Sequence, residues 1–69
     1  MNNMQTIRVK VFKCSQYEMA RIARVTQPTI SKWEAGLAVP LSTHFRHIRN
    51  EAIRRGIPWD DKFFFLEEA

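Results

Sequence analysis

The side chains best equipped for chemistry are a group of amides, hydroxyls and cations near the middle of the chain: Gln16, then Gln27, Thr29, Ser31 and Lys32. Glutamine sets a donor and an acceptor side by side and pairs bidentately with the major-groove edge of adenine, while lysine reaches guanine acceptors or a phosphate oxygen. Pro28, Ala35 and the Thr29 methyl offer apolar contact suited to a thymine methyl. Catalytic assemblies are missing. Asp60, Asp61, Glu67 and Glu68 stand beside no nucleophile motif or glycine-rich loop, so no enzyme activity is expected. His44 and His47, three apart, could share a helix face toward a metal, yet no third ligand lies near them in sequence; solvated surface histidines are expected, with no metal and no cofactor. Cys14 is the single cysteine, which excludes an intramolecular disulfide and a thiolate cluster, and it reads as a small buried apolar residue.

Something must hold the polar groups on one face. If Ile30 and Trp33 point inward, a helix turning about 100° per residue sends Pro28, Ser31, Lys32 and Ala35 outward and leaves Gln27 and Thr29 on its flanks. Thr26 or Gln27 can cap this helix, Pro28 suits a first turn because it has no amide hydrogen to leave unpaired, and Gly36 suits a left-handed end. Before it, Ser15 with Glu18 three residues later has the reciprocal capping pattern, and Met19, Ile22 and Ala23 form the apolar face of a short helix. Arg24 and Val25 make a tight connection. The predicted fold is all-α, a compact domain of four or five helices. Its helix-turn-helix, residues 16–33, presents residues 27–35 to a DNA major groove about 12 Å wide.

Spacing and cap residues organise the flanking segments as well. Met4, Ile7, Val11 and Cys14 recur at helical spacing, whereas Ile7, Val9 and Val11 alternate with Arg8 and Lys10 as a short strand would; helix is preferred and strand stays open. Residues 37–41 read as a loop around Pro40. Ser42 or Thr43 then caps a fourth helix, with Phe45, Ile48, Ala52 and Ile53 as its buried stripe and Arg54, Arg55 and Gly56 at its end. Ile57-Pro58-Trp59 is a rigid turn, and Asp60 is expected to cap a last helix over residues 63–68.

Composition narrows the class of partner. The chain has 69 residues, 45% hydrophobic and 26% charged, which suits one globular domain, residues 1–69, rather than a disordered tail. A fold this short removes only about 60% of its unfolded surface from water, so modest stability follows. No apolar run approaches the roughly 20 residues that span a bilayer, and residues 1–13 lack a signal-peptide pattern, so the expected location is cytoplasmic, with no membrane partner. The net charge of +4 favours a polyanion. Residues 1–59 hold all the Lys and Arg except Lys62 and only Glu18, Glu34 and Glu51 as acids, so the body is basic and the tail acidic.

Ser15-Gln16-Tyr17-Glu18-Met19-Ala20, followed by Val25-Thr26-Gln27-Pro28-Thr29-Ile30-Ser31-Lys32-Trp33-Glu34-Ala35-Gly36, closely resembles the helix-turn-helix of phage Cro and repressor proteins and their bacterial relatives. The resemblance covers residues 15–36, with Gln16, Ala20, Val25, Thr26, Ile30, Ser31, Trp33, Glu34 and Gly36 at spacings that family uses. It implies that Gln16 holds a backbone phosphate, that Ala20 is small so the two helices can cross closely, and that Gln27, Thr29, Ser31 and Lys32 face bases or nearby phosphates. Arg24 departs from the pattern. The family usually has glycine in this turn, and a left-handed backbone costs an arginine on the order of 1 kcal/mol. The segment after Gly36 matches no equally firm family pattern.

Base contacts are accordingly expected from Gln27, Pro28, Thr29, Ser31 and Lys32, and phosphate contacts from Gln16, Lys10, Lys13, Arg21, Arg24, Arg46 and Arg49. Arg54 and Arg55 are expected to complement a helix C-terminus instead. Trp59, Phe63, Phe64 and Phe65 concentrate aromatic area in the acidic segment 59–69, because consecutive residues on a helical turn point about 100° apart and cannot all face one core. They are expected at a homodimer interface, the alternative being that they close the core. A two-fold dimer would set two recognition helices about 34 Å apart on a near-palindromic operator. The expected function is sequence-specific binding of double-stranded DNA as a transcriptional regulator, a Cro-like phage or prophage repressor acting by promoter occupancy, with no small-molecule substrate. The rivals are an antitoxin autoregulating its operon through the same helices and a helix-turn-helix protein-binding module.

Overall fold

The computed structural model describes residues 2–65, and among them every regular element is helical, with no strand. The N-terminal segment is the one whose apolar spacing left two choices, and it is a helix. The first α-helix, α1 (Asn3–Thr6), runs directly into a π-helical stretch, Ile7–Phe12. Strand alternation fails because Met4 and Ile7 are both buried while Val9 lies on the surface. In a π-helix each N–H reaches back five residues, so the residue that rejoins Ile7 in the core is Phe12; Val11 only packs against the edge of that core. The stretch ends at Lys13, left-handed at φ 53°, and the next N–H, that of Cys14, bonds the Arg8 carbonyl at 3.1 Å. Cys14 therefore sits past the helix rather than on its face, half-buried, and burial pushes its thiol pKa up.

Two short helices follow. Helix α2 (Gln16–Ala23) begins where the Ser15 hydroxyl accepts the Glu18 N–H at 3.1 Å, but the Glu18 carboxylate turns away to accept from Arg55 at 3.0 Å. Met19, Ala20, Ile22 and Ala23 are buried. Arg24, left-handed at φ 62°, ends α2, and the Val25 N–H bonds the Ala20 carbonyl at 2.9 Å. Helix α3 (Gln27–Glu34) starts after an extended Thr26, whose hydroxyl pairs with the Thr29 hydroxyl at 3.0 Å and not with a backbone N–H. It ends at Gly36, φ +76°, where the Leu37 N–H reaches the Lys32 carbonyl at 2.9 Å.

Helix α4 (Ser42–Arg54) closes the core with Ile48 and Ala52. The helix departs from the expected stripe and from the expected cap. Ile53 is 62% exposed, because it lies about 100° round the helix from the buried Ala52. The cap position belongs to Leu41, not Ser42 or Thr43. Its N–H donates to His44 Nδ1 at 3.0 Å, so a histidine takes the part usually played by glutamate or glutamine three residues into the helix. The His44 ring also lies 5.1 Å from that of Trp33, so His44 has a capping and packing role that a solvated surface histidine lacks, and His47 is partly covered.

The C-terminal helix is a single 3₁₀ turn, Asp61–Phe64, with the Asp60 carboxylate accepting the Lys62 N–H at 2.9 Å. Its expected continuation to residue 68 lies outside the described residues. Phe64 is not available to a second subunit: it is 6% exposed, its ring 4.1 Å from Phe45 and 5.0 Å from Trp59. Trp59 and Phe63 are half-buried against the same cluster, 5.1 Å apart and edge-on, whereas Phe65 is 76% exposed. Asn2 ties the start of the chain to the end of α3. Its side-chain oxygen Oδ1 caps α1 by accepting from the Gln5 N–H at 3.0 Å, while its side-chain Nδ2 donates to the last carbonyls of α3, Trp33 at 2.7 Å and Glu34 at 3.0 Å.

Candidate nucleic-acid interface

The outer face of α3 is set by two anchors. Ile30 and Trp33 are 1% and 3% exposed, which turns Pro28, Ser31, Lys32 and Ala35 to solvent and leaves Gln27 and Thr29 half-covered on the flanks. These are the faces that helical geometry assigns once the anchors point inward. Pro28 falls in the first turn, where its missing N–H costs nothing. Lys32 has no ion-pair partner among the described residues, so its ammonium is free to meet an anion.

Gln27 is held from behind. Its Nε2 donates to Gln16 Oε1 at 2.6 Å, and Gln16 Nε2 donates to Glu34 Oε1 at 3.2 Å. Arg8 grips the same carboxylate with a two-point fork, Nε to Oε2 at 2.6 Å and Nη2 to Oε1 at 3.0 Å, and its Nη1 donates to the Cys14 carbonyl at 3.0 Å. The Glu34 hydrogen bond raises the Arg8 pKa above its usual value, ahead of the opposing loss of water. The π-helical stretch, the start of α2 and both ends of α3 are thus joined through side chains. Gln27 keeps one N–H and its carbonyl oxygen unused among the described residues, the donor–acceptor pair that adenine requires.

Arg8 was not among the residues singled out from sequence. A signal was present, since a basic body with only three acids leaves each acid an arginine to find. Glu34 takes Arg8, Glu18 takes Arg55, and Glu51 takes Arg54 at 2.5 Å and Arg55 at 2.6 Å. Arg54 and Arg55 therefore hold carboxylates, in addition to standing at the end of α4.

The expected phosphate contacts fall into separate groups. Gln16 stands at the start of α2, half-buried in the amide chain. Lys13, Arg21, Arg24 and Arg46 are exposed, and no acidic side chain among the described residues pairs with them. Lys10 is exposed as well. Arg49 is half-buried and shares its charge with Asp61 at 3.6 Å, which makes it a poorer phosphate ligand than its neighbours. Arg21 and Arg24 share a cleft with α4, at the end of α2 away from Gln16.

No three His, Cys, Asp or Glu side chains gather among the described residues as a metal site needs, and none of their helices is long and apolar enough to cross a membrane. Comparison of the chain with protein-family models, with curated proteins and with solved structures finds no match.

Proposed function

We propose that the chain is a sequence-specific, double-stranded-DNA-binding transcriptional regulator whose α2 and α3 act as a helix-turn-helix of the lambda-repressor-like kind. The observation that carries this reading is the outer face of α3: short side chains around a free lysine, with a glutamine steadied by a hydrogen-bonded chain behind it. Short side chains let a helix backbone approach base edges, and a steadied amide loses less freedom when it pairs. In this reading Gln27, Pro28, Thr29, Ser31 and Lys32 meet bases, and Gln16, Lys13, Arg46 and neighbouring cations meet phosphates.

The protein works as a homodimer on a near-palindromic operator and represses by occupying a promoter. The described chain measures 30 × 28 × 21 Å, too small to reach two major-groove faces about 34 Å apart, so two half-sites need two copies. Of Trp59, Phe63, Phe64 and Phe65, Phe65 is the one turned outward and open to such an interface. A second reading, a protein-binding module, draws on Leu37, Val39 and Leu41, large aliphatic side chains left exposed in one loop.

Binding to a pool of random genomic fragments at low salt tests the proposal. Selection of a two-fold site is expected, with Gln27→Ala losing roughly 1 to 3 kcal/mol on that site and relaxing the preference at one base pair. Failure to retain any fragment at low salt would end the DNA reading in favour of the protein-binding one.

A further inference from the structure

A cleft of about 490 Å³ opens between the second halves of α2 and α4, with Arg21 and Arg24 on one wall and His47, Asn50 and Arg54 on the other. Its charges are unevenly matched. The carboxylates of Glu18 and Glu51 lie in the same cleft, but both are taken by Arg54 and Arg55 at 2.5 to 3.0 Å. Arg21 and Arg24 are left exposed, without an acidic partner among the described residues.

Helix capping does not account for these two guanidinium groups. The carbonyls of Ala20 and Arg21 are already bonded by the backbone N–H groups of Val25 and Arg24, at 2.9 and 3.3 Å, and α4 closes in the same way through Gly56 and Ile57. The His47 pKa is pushed below the ordinary histidine value first by loss of water and then by the nearby charges of Arg24, Arg46 and His44.

We propose that this cleft is a phosphate-binding site, in which Arg21 and Arg24 supply the charge and His47 and Asn50 donate hydrogen bonds from the facing helix. Two uncompensated guanidiniums call for close to two negative charges. A carboxylate brings one, whereas a phosphomonoester brings nearly two, on three acceptor oxygens that match the planar guanidinium fork. The site does not depend on base reading by α3. Gln16 and the Gln27 amide lie at the other end of α2, about 8 Å along the helix from Arg21 and about 12 Å from Arg24. The two charges have two possible sources: a pair of adjacent phosphodiesters in flanking DNA, at one charge each, or a phosphomonoester on a free molecule.

Inorganic pyrophosphate titrated into DNA-free protein at low salt, with the His47 ring protons followed by NMR, is the test. Saturable binding that raises the His47 pKa is expected, and the affinity should fall roughly tenfold for each guanidinium removed in Arg21→Gln and Arg24→Gln, at unchanged helix content by circular dichroism. Lys62→Gln, outside the cleft, should bind as the parent does. Repeating the titration on protein saturated with genomic duplex separates the sources: exclusion of pyrophosphate assigns the site to the DNA backbone, and retained binding assigns it to a free ligand. No saturable binding, equal affinity in the arginine variants, or acetate binding as tightly as pyrophosphate overturns the proposal. Since the first titration contains no DNA, it stands whether or not α3 reads bases.

Discussion

At the scale of single residues, Gln27 is anchored by one N–H and open at the other, and what fixes it is a chain reaching back to Arg8. The Arg8–Glu34 pair is well covered, with the Glu34 side chain only 7% exposed. Removing one partner of such a pair strands the other charge away from water, which costs more than the pair itself contributes. Arg8→Ala is therefore expected to destabilise the fold by about 3 kcal/mol in urea denaturation. In the proposed complex it should also relax selectivity at the Gln27 base pair, though Arg8 touches no base. An unchanged denaturation midpoint would show that Glu34 finds water or another donor. The outward set Pro28, Ser31, Lys32 and Ala35 was legible in the sequence, because two anchors and the helical period settle it. Composition implied that Glu34 would find an arginine, but not which one, because Arg8 lies 26 residues away and only folding makes them neighbours.

At the scale of elements, four helix ends among the described residues pass through a left-handed residue, and two of these are glycine. Gly36 and Gly56 adopt φ +76° and +71°, while Lys13 and Arg24 adopt 53° and 62° with a side chain to accommodate. Lys13→Gly is expected to raise stability by roughly 0.5 to 1 kcal/mol, seen as a higher Tm, since relief of the side-chain clash outweighs the added freedom of the unfolded chain. A lower Tm would mean that Lys13 makes a contact worth more than its strain. Another local cost lies at the junction of α1 with the π stretch, where the buried Thr6 hydroxyl has no hydrogen-bond partner. Thr6→Val, nearly the same shape without the hydroxyl, should stabilise by about 1 kcal/mol in the same measurement. The helical period located α2, α3 and α4, yet it could not announce a π-helix. One extra residue per turn shifts the buried position from Val11 to Phe12, and that choice depends on which side chain fills the space beside Trp59, 6.3 Å away.

At the scale of the whole molecule, Glu51 ties the far end of α4 to α2 through Arg55, which also holds Glu18. Hydrogen bonds from Arg54 first and Arg55 second lower the Glu51 pKa from an ordinary 4.5 to about 2. A carboxylate with a lowered folded-state pKa contributes stability above its unfolded pKa and loses that contribution as pH falls through the folded value. Stability should therefore decline between pH 4.5 and about 2, with a shallower decline in Glu51→Gln, as read from Tm against pH. Parallel curves for the two proteins would remove Glu51 from the acid response. The aromatic C-terminus also belongs to this scale. Its composition implied surplus apolar area, but which ring faces outward depends on the opening left between Phe45 and Trp59, and Phe64 fills it.

By itself the sequence determined the helical class, the turn between α2 and α3, the inward anchors of α3 and the basic character of residues 1–59, because each rests on local spacing or on composition. Tertiary structure alone decided the pairing of Arg8 with Glu34, the π register, His44 as a helix cap, the burial of Phe64 and the cleft shared by α2 and α4. All of these depend on which distant side chains meet, and a one-dimensional period carries no information about that.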